Sequence, residues 1–327
     1  MLRKLFPALV GNTPDGSFKL VFVSEGFTAS QQQAFSTACV QFTQRLLRTT
    51  PFNLTVINPG WISIYTLFKP SEQSGPVVGV PVAGRTAFES AVDPTTFALS
   101  LNVDRVNTVL SSEKLRFQGE ELPLTRFLAV GRTNFGATGT LIVFLIPSTA
   151  PIPLGAEVEH ISADPDFHFV STTLDGEWHQ VVLRALGSLF GLGDEFEQAG
   201  DDFQSPRSAI QQQSWYFNLE FAENPPLTND GFPKWRSLFR PAALSQPAIV
   251  HSKVGGATMP DLTLEHTAHT AEEAQFWEGG GGYRSKVYRT AADCLMRRRV
   301  GDLALPVRSR EVPFCLACRA VLQTFVR

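Results

Sequence analysis

Hydrophobic positions along the chain fall into two patterns. Short, nearly continuous apolar runs bounded by turn formers, at Lys19–Ser24, Trp61–Leu67, Phe127–Gly131, Thr140–Ile146 and Phe167–Thr172, read as strands. Thr140–Ile146 is apolar almost throughout and is expected at the centre of a sheet, with Phe167–Thr172 at an edge. Between these runs, apolar residues recur at the three-and-four spacing of a helix. Ala34, Phe35, Ala38, Phe42 and Leu46 form one such stripe after a cap at Thr28 or Ser30, and it stops ahead of Pro51 because a residue before proline is pushed out of the helical region. A second helical segment is expected near Asp104–Leu115. A third starts from an N-cap at Asp175 and buries Val182, Leu186, Leu189 and Phe190, with Gly191 and Gly193 supplying left-handed or close-approach conformations that end it.

Strands interleaved with helices predict an α/β (α+β) fold, a mixed twisted sheet packed by helices. From Glu197 to about Pro260 no strong period appears, and the Pro, Asn and Ser content predicts a long irregular segment broken by short helices such as Pro233–Phe239. Residues 1–17 read as a loosely held lead-in and 18–327 as a single domain, with the sheet and third helix in 18–197 and a C-terminal subdomain in 198–327.

Composition narrows the function classes. A chain of 327 residues with 43% hydrophobic and 18% charged residues can bury a sizeable core. Net charge is −3 and the basic residues are dispersed apart from Arg297, Arg298 and Arg299, so the footprint of a nucleic-acid binder is missing. No apolar run reaches the roughly 18 residues of a membrane span, and the start MLRKLFPALVGNTPDG makes no convincing signal peptide. A cytoplasmic or assembly-bound chain is the expectation.

Cysteines stand at Cys39, Cys294, Cys315 and Cys318. Cys39 lies on the first helix's apolar stripe and behaves as a small hydrophobe. The CxxC at Cys315 offers half of a zinc site, but a structural site wants four close ligands and no second CxxC exists, so free or partly paired core thiols are the favoured reading. No GxSxG nucleophile elbow occurs, and Gly279–Gly282 lacks the Lys-Ser or Lys-Thr of a phosphate loop.

The run VVLRALGSLFGLGDEFE, from Val181 to Glu197, resembles the active-site helix of the IgA-peptidase-type zinc metallopeptidases, roughly VVxHExGHSxxGLxDEY. Further matches follow in the same order as in that family: Glu25–Thr28 and Pro51–Phe52 early in the chain, then Glu278, Gly279, Tyr283, Val287, Tyr288, Arg289, Cys294, Met296, Arg297, Phe314, Cys315 and Cys318. Trp277, and Thr290 in place of a proline, depart from the pattern. The resemblance covers most of residues 18–327 and implies a metzincin-like zinc-peptidase fold with a methionine-bearing turn, here Met296 in CLMR.

It also implies a lost active site. Leu183 stands where the first histidine belongs, Arg184 where the general-base glutamate belongs, and Gly187 where the second histidine belongs. A peptidase helix needs histidines at i and i+4 to face one metal, and an arginine can neither accept a proton nor tolerate a nearby dication. Asp194 holds the family's third-ligand or second-shell position; with Glu195, Tyr283, Tyr288 and Met296 it completes the vestigial site. No cofactor is expected and no catalytic group. The expected role is a catalytically inactive, protein-binding or structural component, whose partner is a protein or peptide held in the old cleft. Alternatives are a scaffold subunit of a larger assembly, or an active zinc peptidase with ligands relocated to His179, Asp194, His266 and His269, the last two flanked by Glu265.

Overall fold

The computed structural model describes residues 2–6, 18–53, 61–95, 99–117, 120–124, 131–133, 136–147, 159–160, 168–174, 178–193, 195, 216, 218–221, 235, 238, 250–251, 276–281, 283–291, 294–297 and 312–326. The chain divides into two units. One comprises Met1–Leu186 with short C-terminal pieces, and the other comprises Gly187–Arg299 and Ser309–Thr324. Among the described residues the fold is mixed α/β, and no helix is long and apolar enough to cross a membrane.

In the first unit, β1 (Leu2–Phe6), β2 (Phe18–Ser24), α1 (Gln32–Leu46) and β3 (Ile62–Leu67) open the chain. Short strands β4 (Val77–Val78), β5 (Ala91–Val92) and β6 (Leu99–Ser100) lead to α2 (Val103–Ser112) and the hairpin β7 (Lys114–Phe117) and β8 (Glu120–Pro123). Then come β9 (Gly131–Thr133), β10 (Gly136–Ile146), β11 (Glu159–His160), β12 (His168–Thr173) and α3 (Trp178–Leu189). The main sheet runs β1-β3-β2-β10-β12-β11, with β9 pairing β10. Its four middle strands are parallel, and β1 and β11 are antiparallel edges.

A strand that is apolar on both faces needs cover on both, and all seven residues of β2 are buried. The register aligns Tyr65, Val21, Ile142 and Phe169 in one row and Leu67, Val23 and Phe144 in the next. These pack with Phe88, Val106, Leu110, Leu115 and Leu124 from the segment after β3, including α2. On the opposite face Phe22 meets Phe42 of α1 edge-on at 5.1 Å, and Phe42 meets Trp178 of α3 at 5.6 Å. Each such buried side chain contributes about 2 kcal/mol by leaving water. The α1 stripe is Phe35, Ala38, Cys39, Phe42, Thr43 and Leu46; Ala34 is exposed, one position outside it. A short 3₁₀ turn with a capping box at Thr28 leads into the helix.

Several expectations are revised. Phe167–Thr172 is not an edge: β12 has β11 beyond it, because Glu159–His160 returns antiparallel beside His168 and Phe169. Leu2–Phe6, expected as part of a loose lead-in, is the opposite edge strand, held by backbone pairing to β3. The second helix stops at Ser112, where Glu113 turns extended and the chain enters the β7–β8 hairpin instead of continuing helical to Leu115. Residues 125–130 and most of 197–260, including nearly all of Pro233–Phe239, lie outside the described residues.

The second unit contains β13 (Leu219–Phe221), β14 (Val250–His251), β15 (Phe276–Gly280), β16 (Tyr283–Arg289) and α4 (Leu316–Gln323). Its strands form one sheet in the order β13-β16-β15-β14. The β15–β16 hairpin was hidden in the sequence by its glycine run and by a charged, irregular β16.

A buried carboxylate ties the first unit's loops to its sheet. Glu25, at the end of β2, is fully buried and accepts hydrogen bonds from the Phe88 amide at 2.9 Å and the Ser90 amide at 3.0 Å. Glu25→Ala strands the Phe88 amide, while the Ser90 amide keeps Thr86 Oγ1 at 2.8 Å, and is expected to cost about 2 kcal/mol, with Glu25→Gln costing less because one acceptor oxygen remains. Urea midpoints of the two variants check this; midpoints equal to that of the parent chain would contradict it.

Candidate functional site

The third helix ends as its glycines require. Gly191 has φ 85°, and the amides of Gly191 and Leu192 turn back to the carbonyls of Ser188 and Gly187 at 3.0 Å each. This is a Schellman closure, which satisfies carbonyls that the helix end leaves open. Gly193 follows for a different reason: a Cβ there would lie 2.6 Å from the Tyr216 ring and 2.7 Å from Leu219 Cδ1.

Leu183 and Arg184 are both buried on α3 in the first unit, and Tyr288 is buried in β16 of the second. Gly187 belongs to the second unit, where a Cβ on it would lie 2.7 Å from Met296 Sδ, 3.1 Å from Phe314 Cε1 and 3.2 Å from Leu192 Cδ1. The position is therefore filled by its neighbours' side chains. Met296 sits fully buried in the 3₁₀ turn Leu295–Arg297 and accepts the Glu195 amide at its carbonyl, 2.9 Å away. Asp194, His266 and His269 lie outside the described residues, as does the side chain of Tyr283.

Glu195 reveals a cluster that the sequence reading did not assemble. It is fully buried with Cys294, Cys315 and Cys318, and one donor atom from each of the four lies within 4.8 Å of the others. Cys318 Sγ donates to Glu195 Oε1 at 3.1 Å, Cys315 Sγ lies 3.7 Å from the same oxygen, and Cys294 Sγ lies 3.7 Å from Cys318 Sγ. Cys315 caps the start of α4, which puts Cys318 one turn further on and on the same side. Cys294 enters from the residue before the Met296 turn, and its sulfur accepts the Cys315 amide at 3.3 Å.

A further set of groups holds this cluster in place. Asn218, also fully buried, donates from Nδ2 to Glu195 Oε1 at 2.9 Å and to the Gly193 carbonyl at 2.8 Å, while its Oδ1 accepts the Gly193 amide at 2.7 Å. Glu195 Oε2 is buried with no hydrogen-bond partner. Arg289, 1% exposed, donates to the carbonyls of Gly279 and Ala291.

Burial pushes the Glu195 carboxyl up to about 8, with the charge of Cys315 adding to it and the Asn218 hydrogen bond opposing it. Burial likewise holds Cys294 and Cys318 well above the usual thiol range. Hydrogen bonds from Cys294 and Cys318, joined by the Cys318 and Ala317 amides, draw Cys315 well below it. Cys39, by contrast, is isolated in the first unit's core and raised by burial alone against a single backbone hydrogen bond. The signal available in the sequence was the third cysteine, Cys294, shortly before the CxxC; nothing local pointed to Glu195.

No protein-family model matches the chain, and no curated protein matches it significantly.

His179 is 8% exposed on α3, and burial, then the nearby Arg45 charge, lower it to about 3. Its folded value lies below its unfolded one of about 6.5, so its contribution is complete above pH 6.5 and is lost as pH falls toward 3, when only the unfolded chain takes up the proton. The slope is at most about 1.4 kcal/mol per pH unit. Unfolding free energies measured across that window should decline less steeply for His179→Phe than for the parent chain; equal slopes would contradict the assignment.

Proposed function

We propose that the chain is a catalytically inactive relative of the IgA-peptidase-type zinc metallopeptidases, retained as a protein-binding or structural component. The observation that carries this reading is the packing at Gly187, where the resemblance puts the second zinc-binding histidine. Met296 Sδ stands 2.7 Å from the place even a Cβ would take, so an imidazole has no room without displacing the methionine and Phe314. Leu183, at the first histidine's position, is a buried apolar side chain, and Arg184 at the glutamate's position is permanently cationic. Zinc-peptidase hydrolysis needs metal-activated water together with a general base, and these substitutions supply neither.

The metzincin-like architecture is part of the proposal. A mixed sheet whose last parallel strand leads into α3, followed downstream by a methionine-bearing turn at Met296, is compatible with it. The protein-binding role draws support from the segment after β3, where Val78 is 71%, Val80 80% and Val82 44% exposed. Three outward valines among Gly and Pro residues are apolar surface that a partner protein would cover.

The test is hydrolysis of unfolded protein substrates by the purified full chain with zinc supplied. No turnover is expected, and cleavage that a chelator abolishes would overturn the proposal. A companion measurement bears on the packing: Gly187→Ala is expected to lose about 1–3 kcal/mol of stability and Gly187→His considerably more. A Gly187→His variant as stable as the parent would show that the histidine position is still open.

A further inference from the structure

We infer that Glu195, Cys294, Cys315 and Cys318 are the four ligands of a structural zinc ion that organises the second unit. This inference stands apart from the reading of the chain as an inactive peptidase, which rests on Leu183, Arg184 and Gly187, although Glu195 belongs to the stretch that carries the resemblance.

Three of the six ligand–ligand distances are close to the edges of a coordination tetrahedron, and all six lie within 4.8 Å. Zinc–sulfur bonds of about 2.3 Å at tetrahedral angles separate two thiolates by roughly 3.8 Å, and with a carboxylate oxygen at about 2.0 Å the sulfur–oxygen edge is roughly 3.5 Å. Cys294 and Cys318 sulfurs are 3.7 Å apart, and Glu195 Oε1 lies 3.1 Å and 3.7 Å from the Cys318 and Cys315 sulfurs. A disulfide requires about 2.05 Å between sulfurs and would use only two of the three. It would leave a thiol and a carboxyl buried together.

The surroundings match those of a metal-thiolate centre. An amide points at one of the sulfurs, that of Cys315 at Cys294 Sγ, 3.3 Å away. Such donors delocalise thiolate charge and fix ligand orientation. Asn218 orients the carboxylate through Oε1 and is itself pinned at both ends by Gly193. The other oxygen, Oε2, is buried without a hydrogen-bond partner, so protein groups alone leave this carboxylate half satisfied. Three thiolates and a carboxylate around a dication leave two negative charges, against which the buried Arg289 guanidinium is a cation that acts on Glu195.

The donor set also selects the ion and its role. Soft thiolates favour zinc over magnesium or calcium. Four protein ligands, all fully buried, leave no position for water or substrate, so the ion is structural. It joins the turn after α3, the Cys294–Arg297 segment and the start of α4, and its binding free energy is folding free energy for the unit that contains them. On binding, each ligand still protonated, thiol or carboxyl, releases its proton to solvent, so uptake of zinc is accompanied by proton release.

The test uses the full chain. Elemental analysis after purification without added metal is expected to find about one zinc per chain. Replacement by cobalt(II) is expected to give the intense visible bands of tetrahedral cobalt together with thiolate charge-transfer absorption in the near ultraviolet. These two measurements need no variant, so they remain decisive if variants fail to fold. Cys318→Ser should lose most of the zinc, while Cys39→Ser keeps all of it. A chain that neither carries nor takes up zinc, a Cys294–Cys318 disulfide, or cobalt spectra without thiolate charge transfer would each overturn the inference. Chelator-sensitive hydrolysis that survives Cys318→Ser would sink the inactive-peptidase reading and leave this site standing.

Discussion

The second unit depends on a polar constraint deep in its interior. Glu195 and three cysteines occupy one fully buried site, and everything around them follows from the need to satisfy those four groups away from water. Gly193 has no side chain because Tyr216 and Leu219 press against it, which lets its amide and carbonyl engage Asn218, and Asn218 in turn orients Glu195. The Met296 turn brings Cys294 to the site while its carbonyl accepts the Glu195 amide. A metal ion at the proposed site would convert this assembly from four expensive burials into one coordination centre.

That constraint recasts the end of α3. In a zinc peptidase helix the chemistry sits on the histidine pair, and the glycine-rich turn beyond it is framing. Under the proposed reading, the framing is the part retained here. The helix contributes Gly187, which is closed over by Met296, Phe314 and Leu192, and the turn contributes Glu195 to the cysteine cluster. Under the proposed reading, the resemblance and the cluster describe one exchange: a catalytic centre on the helix has been replaced by packing, and the metal that the unit uses lies among the cysteines.

The parts of the fold legible in the sequence were those whose signal is local. β2 and β10 were readable because strands buried on both faces carry continuous apolar runs, and α1 because its cap, stripe and stop all fall within Thr28–Pro51. Gly191 was readable because the helix end demands it, whereas the close approach at Gly193 is set by Tyr216 and Leu219. Strand order was not: nothing in Glu159–His160 announces that it covers the edge of β12. The cluster was half visible. The CxxC marked two ligands, but Glu195 lies 120 and 123 residues from Cys315 and Cys318, and no sequence period encodes a contact across that distance. Expecting a second cysteine pair also hid a site completed by one cysteine and one carboxylate.

X-ray absorption at the zinc edge of the full-length protein tests the account most directly, because it reads the ligand atoms themselves. A metal held by Glu195, Cys294, Cys315 and Cys318 is expected to show three sulfurs at about 2.3 Å and one oxygen at about 2.0 Å. A shell built only of nitrogen and oxygen would place the metal on histidines instead, contradicting both the cysteine site and the loss of the peptidase centre.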